Sequence, residues 1–223
     1  MKVFGSLSRE DRVPLACGVA YLLAVVASGA NPASRATWFL ENMVPFIIVI
    51  LATYTYRQFR FSDRAYCQGL AFLLLHTVAT WYTYPLVPFG DWLRDGFALA
   101  RNNYDRVVHF AYGALLFVPL HELLFRREPR RNRGTEMFLT VSVLLALGTG
   151  YEFLEWWAAL INRAASDAFI ATQGDVWDVQ LDLFVALVGA TLAAVVDAVL
   201  LKVTQRPRES ARGFSAARAP TAR

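Results

Sequence analysis

The hydrophobic residues of this 223-residue chain are gathered in six long blocks, which short polar segments separate. Within each block the apolar residues fill nearly every position and leave no polar face, as in helices surrounded by lipid. Each block approaches the roughly 20 residues that a helix needs to cross a bilayer. The pattern therefore predicts an all-α protein, a polytopic transmembrane helical bundle. The predicted spans are residues 13–29, 38–56, 65–83, 105–125, 136–160 and 178–201.

The composition agrees with a membrane protein and argues against a nucleic-acid-binding one. The chain is 56% hydrophobic and 14% aromatic, which is high for a soluble domain of this length. Its net charge of +4 comes from arginines in the short segments between apolar blocks, as in the loops of membrane proteins. We therefore expect no nucleic-acid partner. Residues 1–201 are predicted to form one transmembrane domain, followed by a basic, disordered tail over residues 202–223.

The distribution of basic residues predicts the orientation. The segments 57–64, 126–133 and 202–223 are strongly basic and fall on one side of a six-span bundle, together with the amino terminus. By the positive-inside rule both termini are cytoplasmic. The expected partners are the lipid bilayer and, at these basic segments, anionic lipids. A homodimer is left open.

The first apolar block admits a second interpretation, because a short apolar run that ends in small residues resembles a cleaved signal peptide. Its amino-terminal flank is long and contains Glu10 and Asp11, which is unusual for such a peptide. An uncleaved first span is therefore the favoured interpretation.

The linker over residues 84–106 contains an amphipathic stretch. Trp92 and Phe97 are expected to rest at the outer membrane interface, with Arg94 and Arg101 facing water. Such a segment suits either an interfacial helix or a lid over a site between the spans.

Ionisable residues converge at the noncytoplasmic ends of four spans. They are His76, Asp105, His109, Glu152, Glu155, Asp175, Asp178 and Asp182. Such groups are costly within a span unless they are paired or hydrated, so they usually face the bundle interior and serve a function. No Lys or Arg stands beside Asp175, Asp178 and Asp182 in the sequence. Crowded carboxylates call for a cation or a proton. The sequence thus predicts a site that holds something positive or transfers a proton.

The deeper residues are the candidate catalytic groups, namely His109, Glu152 and Asp182. The candidate ligands of a divalent metal ion are Asp105, His109, Asp178 and Asp182, since carboxylates and imidazole suit such ions. Structural interpretations stand beside these. Asp178 can be only a helix cap, Asp175 and Glu155 can be interfacial, and His76 can simply bind a neighbouring helix.

The cytoplasmic ends carry a second group of polar residues. Glu122 and Arg126 are four residues apart, which predicts a salt bridge, and His121 beside them is interpreted as structural. Asp197 in the last span is expected to pair with Lys202 or Arg57.

Three segments resemble a known family: "YDRVVHFAYGALLFVPLHELLFR", "GYEFLEWW" and "QGDVWDVQLDLFVALVGA". Together they resemble the YjdF-type bacterial inner-membrane proteins, multi-span proteins without an assigned function, over roughly residues 30–200. A more distant resemblance is to the VanZ-like proteins, known for a link to glycopeptide resistance. That resemblance implies roles for Asp105 and His109, for Glu152 or Glu155, and for Asp178. The resemblance to the YjdF-type proteins implies a location in the inner membrane and names no substrate.

Three functions remain open at this stage. The first is a membrane-embedded metal-dependent enzyme that acts on an envelope lipid or a lipid-linked substrate. The second is a cation- or proton-coupled transporter, and the third is a structural or accessory subunit. Only Arg101, Arg106 and Arg163 are available on the outer face, which counts against a phosphate-cleaving enzyme.

Overall fold

The computed structural model describes residues 8–127, 132–161 and 173–216, with side chains described up to Leu201. These residues form helices joined by short connections, and none of them lies in a β-strand. The α-helices are α1 (Arg12–Ala30), α2 (Arg35–Tyr54), α3 (Asp63–Tyr82), α4 (Pro88–Phe97), α5 (Tyr104–Phe125), α6 (Arg133–Ile161) and α7 (Asp178–Ala216).

The six long helices correspond to the six predicted spans, and the predicted all-α, multi-span class is confirmed. Five of them, α1, α2, α5, α6 and α7, are long and apolar enough to cross a membrane. Helix α3 is 20 residues long but more polar, and it is not among these five. Its crossing therefore stays a prediction, as do the orientation of the termini and the contacts with anionic lipids or a second copy.

The boundaries of the domain and of the first span also stay predictions. Helix α7 continues to Ala216, so it includes the first part of the region predicted to be a tail. Helix α1 packs along α3, and the indole of Trp38 at the start of α2 donates a hydrogen bond to Ser28 of α1 at 3.0 Å. The amphipathic stretch of the linker is helix α4, which exposes Phe89, Trp92 and Phe97.

Helices α5 and α7 form the closest pair in the bundle. Their backbones meet at glycines: a Cβ atom on Gly113 would lie 2.0 Å from the carbonyl oxygen of Ala186, and one on Gly189 would lie 2.3 Å from that of Phe110. Small residues allow this close approach. In lipid the hydrophobic effect does not hold helices together, so close van der Waals packing has to do so. In this pair the amino-terminal turns of both helices lie at the same end of the bundle.

Ion pairs tie the helices together at the opposite end. Glu122 accepts hydrogen bonds from Ser62 and forms the predicted salt bridge with Arg126. Asp197, however, pairs with Arg64 at 2.8 Å and Arg133 at 2.7 Å. The predicted pairing with Arg57 is therefore wrong, and the side chain of Lys202 lies outside the described residues. Helices α3, α6 and α7 converge here, so Arg64 and Arg133 lie nearer to Asp197 than their positions in the sequence suggested.

Candidate metal site

Three helices bring His109, Glu152 and Asp182 together. The three residues come from α5, α6 and α7, and one potential ligand atom from each lies within 4.8 Å of the other two. The imidazole Nε2 of His109 is 3.6 Å from Oε1 of Glu152. These are the residues that the sequence singled out as candidate catalytic groups. We call them the inner trio.

The inner trio is enclosed, and part of its hydrogen-bonding capacity is unused. Asp182 is 3% exposed and Glu152 is 8% exposed. Oδ1 of Asp182 and Oε1 of Glu152 are both buried without a hydrogen-bond partner. Asp182 has no ion pair with any other described residue, which is costly for a buried carboxylate. These oxygens are therefore suited to receive a cation.

A second group of carboxylates lies one helical turn further out. Asp105 and Asp178 lie within ligand distance of Asp182, again with one atom of each within 4.8 Å of the others. Of the four metal ligands predicted from the sequence, His109 and Asp182 thus fall in the inner trio. Asp105 and Asp178 fall in this outer group.

Two arginines reach the outer carboxylates, although no Lys or Arg stands beside Asp175, Asp178 and Asp182 in the sequence. Nη2 of Arg101 donates a hydrogen bond to Asp178 and lies 2.8 Å from Asp105, and Arg106 lies 2.5 Å from Asp175. Arg101 was predicted to face water but is only 8% exposed. The reason is long-range, because the approach of α7 to α5 places Asp178, 77 positions later in the chain, beside it. Arg163, the third arginine predicted on this face, lies outside the described residues.

Asp175 has mainly a local role. Its Oδ1 accepts a hydrogen bond from the backbone N–H of Trp177 at 2.9 Å, just before α7 begins. That bond and the Arg106 guanidinium hold the pKa of Asp175 below its usual value of 3.8. The side chain of Asp175 thus closes a turn just before α7, while Asp178, which was considered as a helix cap, binds Arg101.

A neighbouring polar group on α2 was not anticipated. Glu41 is 1% exposed, its Oε2 accepts a hydrogen bond from the hydroxyl of Tyr151 at 2.8 Å, and its Oε1 has no partner. Its backbone carbonyl lies 3.1 Å from Nε2 of His76. Pro45, four residues later, has no N–H to give that carbonyl, so the imidazole takes the place of the missing donor. The sequence signal was an acid four residues before a proline inside a span.

Tyr84 extends this group through His76. Its hydroxyl lies 2.8 Å from Nδ1 of His76, so the imidazole accepts from Tyr84 while Nε2–H donates to the Glu41 carbonyl. Burial, followed by the charges of Glu41 and Glu155, raises the pKa of Tyr84 well above its usual value. His76 thus has the structural partners that one interpretation of the sequence foresaw, and Glu155 lies beside this group but outside the inner trio.

The fold and the site together define a multi-pass helical membrane protein with a buried acid–histidine cluster near one end of its bundle. The chain belongs to the family described as "Predicted membrane protein (DUF2238)", which matches residues 13–203. It is 34% identical to "Inner membrane protein YjdF" of Escherichia coli (strain K12) over 173 residues, 78% of this chain and 83% of that protein. No solved structure matches the chain.

The comparisons confirm the resemblance to the YjdF-type family and the location in the inner membrane. The more distant resemblance to VanZ-like proteins stays a prediction, as do the roles of the site residues.

Proposed function

We propose that this protein is a membrane-embedded, metal-dependent enzyme that acts on an envelope lipid or a lipid-linked substrate. The inner trio of His109, Glu152 and Asp182 is its metal site. The observation that carries the proposal is the arrangement of this trio: three ligand atoms lie within 4.8 Å of one another, and two of the three residues present buried oxygens without a hydrogen-bond partner.

The donor set indicates the kind of ion. One imidazole nitrogen and two carboxylate oxygens suit a borderline divalent ion such as Zn²⁺ or Mn²⁺ better than Ca²⁺, which takes six to eight oxygen ligands. When bound, such an ion supplies Lewis-acid chemistry and can lower the pKa of a bound water. In this proposal Glu152 holds the ion through one carboxylate oxygen, and its other oxygen accepts or returns a proton during the reaction.

The surroundings of the inner trio favour a substrate that approaches from the lipid. His109 is 17% exposed in its side chain, so the trio is not fully sealed. Helix α6 exposes large apolar side chains next to Glu152, among them Phe153, Trp156 and Trp157. Aromatic residues of this kind are common at the interface between bilayer and water, where the polar part of a lipid lies. A lipid can therefore bring its head group to the site while its chains stay in the bilayer.

Metal content tests the proposal directly. The full chain, purified in detergent and dialysed against trace Zn²⁺ or Mn²⁺, is expected to retain about one ion per chain. His109→Ala and Asp182→Asn should lose it. His121→Ala is the matched control, because His121 lies on the same helix roughly 18 Å away, at the other end. Wild-type protein without a stoichiometric ion would contradict the metal site.

Activity is tested with a bacterial lipid extract. Purified protein is incubated with the extract, and the lipids are compared by mass spectrometry before and after. We expect a product that a chelator abolishes, that added metal restores, and that His109→Ala does not form. Lipids that stay unchanged with metal-loaded protein would contradict the enzyme, even if the ion is present.

A cation- or proton-coupled transporter is the second candidate, and Glu41 is the observation that favours it. This buried carboxyl lies on α2, next to the inner trio but not part of it, and intramembrane acids often bind coupling ions. The tight glycine contact between α5 and α7 below the trio argues against a polar path between these two helices. Cation-dependent flux in liposomes that Glu41→Gln abolishes, with an unchanged lipid extract, would favour the transporter over the enzyme.

A further inference from the structure

Arg101 occupies a defined position between two helices. It precedes α5, and its guanidinium contacts Asp105 on α5 and Asp178 on α7. The connection that carries it is held in turn: the N–H of Asn102 donates to Oε1 of Gln173 at 3.2 Å, and Nε2 of Gln173 donates to the carbonyl of Asn102 at 2.7 Å. The segment before α5 is therefore fastened to the segment before α7.

The spacing of the acids turns this contact into the outer of two layers. His109 follows Asp105 by four residues, and Asp182 follows Asp178 by four residues. Residues four apart lie on the same face of a helix, separated by about 6 Å along its axis. A side chain that bridges Asp105 and Asp178 therefore lies directly outside the position where His109 and Asp182 meet. The outer layer is closed by an arginine, and the inner layer is the proposed metal site.

The outer group has the carboxylates for a cation, but its cation is part of the chain. Two of its three members, Asp105 and Asp178, already contact the guanidinium of Arg101. A divalent ion placed among them would be repelled by that positive charge at short range. The inner trio has no arginine or lysine in ion-pair contact among the described residues, so an ion there lies about one helical turn further from the guanidinium and is repelled less.

We propose that Arg101 is the fixed cation of the outer group. It takes the position that a metal ion would otherwise occupy between Asp105, Asp178 and Asp182, and it ties α5 to α7 at the spacing that brings His109 to Asp182. Arg101 is thus a positioning residue for the metal site, and in that second role the inference rests on the proposed function. Asp105 and Asp178 form ion pairs with Arg101 and do not bind a metal ion.

The first test counts ions in Arg101→Gln, which removes the charge and keeps a polar side chain. With Mn²⁺ as the probe, this variant is expected to bind one more ion per chain than the wild type, because Asp105 and Asp178 lose the cation that pairs with them and Asp182 lies close to both. Arg106→Gln is the matched control, since Arg106 is half-buried and pairs mainly with Asp175. Methylguanidinium added to Arg101→Gln should displace the extra ion. An ion count equal to that of the wild type, in protein that elutes as a single species, would overturn the proposal.

Because this gain is measured relative to the wild type, it tests the role of Arg101 independently of whether the inner trio binds an ion. A wild type without any ion would sink the proposed function, yet Arg101→Gln would still be expected to gain one ion. A second measurement serves if Arg101→Gln does not fold. Asp105→Asn and Asp178→Asn are then expected to keep the ion of the inner trio or, if the wild type has none, to gain none. Loss of that ion in folded Asp178→Asn would overturn the proposal, because Asp178 would then be a metal ligand.

Discussion

The glycine contact between α5 and α7 predicts a sharp response to a single added methyl group. In Gly113→Ala the new Cβ would lie 2.0 Å from the carbonyl oxygen of Ala186, whereas ordinary contacts begin at 3.4 Å. The obstacle is backbone, so the two helices must move apart by about 1 Å or more. Overpacking of this kind costs roughly 1–3 kcal/mol. Gly189→Ala meets the carbonyl of Phe110 at 2.3 Å and should behave in the same way.

The same movement should weaken the proposed metal site. Metal–ligand distances tolerate only about 0.2 Å, and His109 and Asp182 are on the two helices that separate. If the site bears even about 1.4 kcal/mol of the strain, the affinity for the ion falls about tenfold. Gly113→Ala and Gly189→Ala are therefore expected to lower both the thermal unfolding temperature in detergent and the affinity for Mn²⁺.

Gly150→Ala on α6 is the matched control, because a Cβ atom there meets nothing within 4 Å. It should unfold and bind as the wild type does, or be slightly more stable, since alanine favours the helix. The reasoning would be refuted if Gly113→Ala and Gly189→Ala were indistinguishable from Gly150→Ala in unfolding temperature. Lower stability with unchanged affinity for the ion would refute only the link to the metal site.

Three further predictions follow from local contacts. His76→Ala should cost about 1–3 kcal/mol, because the buried carbonyl of Glu41 loses its donor, and the loss should be smaller in a Pro45→Ala background that restores a backbone N–H. Asp197→Asn should cost about 1 kcal/mol or less, since the two arginines it binds are more than a third exposed. The lowered pKa of Asp175 means that its ionised form adds stability above its usual value of 3.8, and that this stability is lost as the pH falls through the lower folded value.

Thermal unfolding in detergent checks all three. Equal losses for His76→Ala with and without Pro45 would show that the imidazole does not replace the missing donor. Asp197→Asn should be less stable than Asp95→Asn, whose carboxylate is 70% exposed, and equal values would contradict the ion pairs with Asp197. The difference between wild type and Asp175→Asn should shrink at acid pH, and parallel curves throughout the acid range would contradict that contribution.

The six long helices could be predicted because a long, continuous apolar block has few stable structures other than a helix that crosses a membrane. The fourth span, for example, was expected over 105–125 and is Tyr104–Phe125. The inner trio could also be anticipated, since the depth of each residue in its span follows from counting turns. Helix α3 was predicted as a span with the other apolar blocks, and its greater polarity leaves that crossing a prediction.

Arg101 and Glu41 show where prediction from the sequence stopped. Arg101 stands in a polar segment, "ALARNNYDR", where a water-facing position was the natural expectation. Its burial depends on Asp178, which only the packing of α7 brings near. Glu41 is a single acid in an apolar block, and the proline that frees its carbonyl acts through His76 on another helix. Both depend on contacts between segments distant in the sequence, which periodicity does not contain.

Asp182 offers a final prediction, which separates a functional acid from one that merely fixes helix packing. The glycine contact already fixes α5 against α7, and Oδ1 of Asp182 is buried without a partner. A buried carboxyl group without a partner destabilises a protein, whether it stays ionised or takes up a proton, unless a cation compensates it. Asp182→Asn, which keeps the shape and removes the charge, should therefore raise the unfolding temperature of chelator-treated protein while it abolishes the gain in stability on adding metal. If the variant were instead less stable than the wild type in the presence of chelator, Asp182 would be contributing to packing, and the accessory-subunit interpretation would gain at the expense of the enzyme.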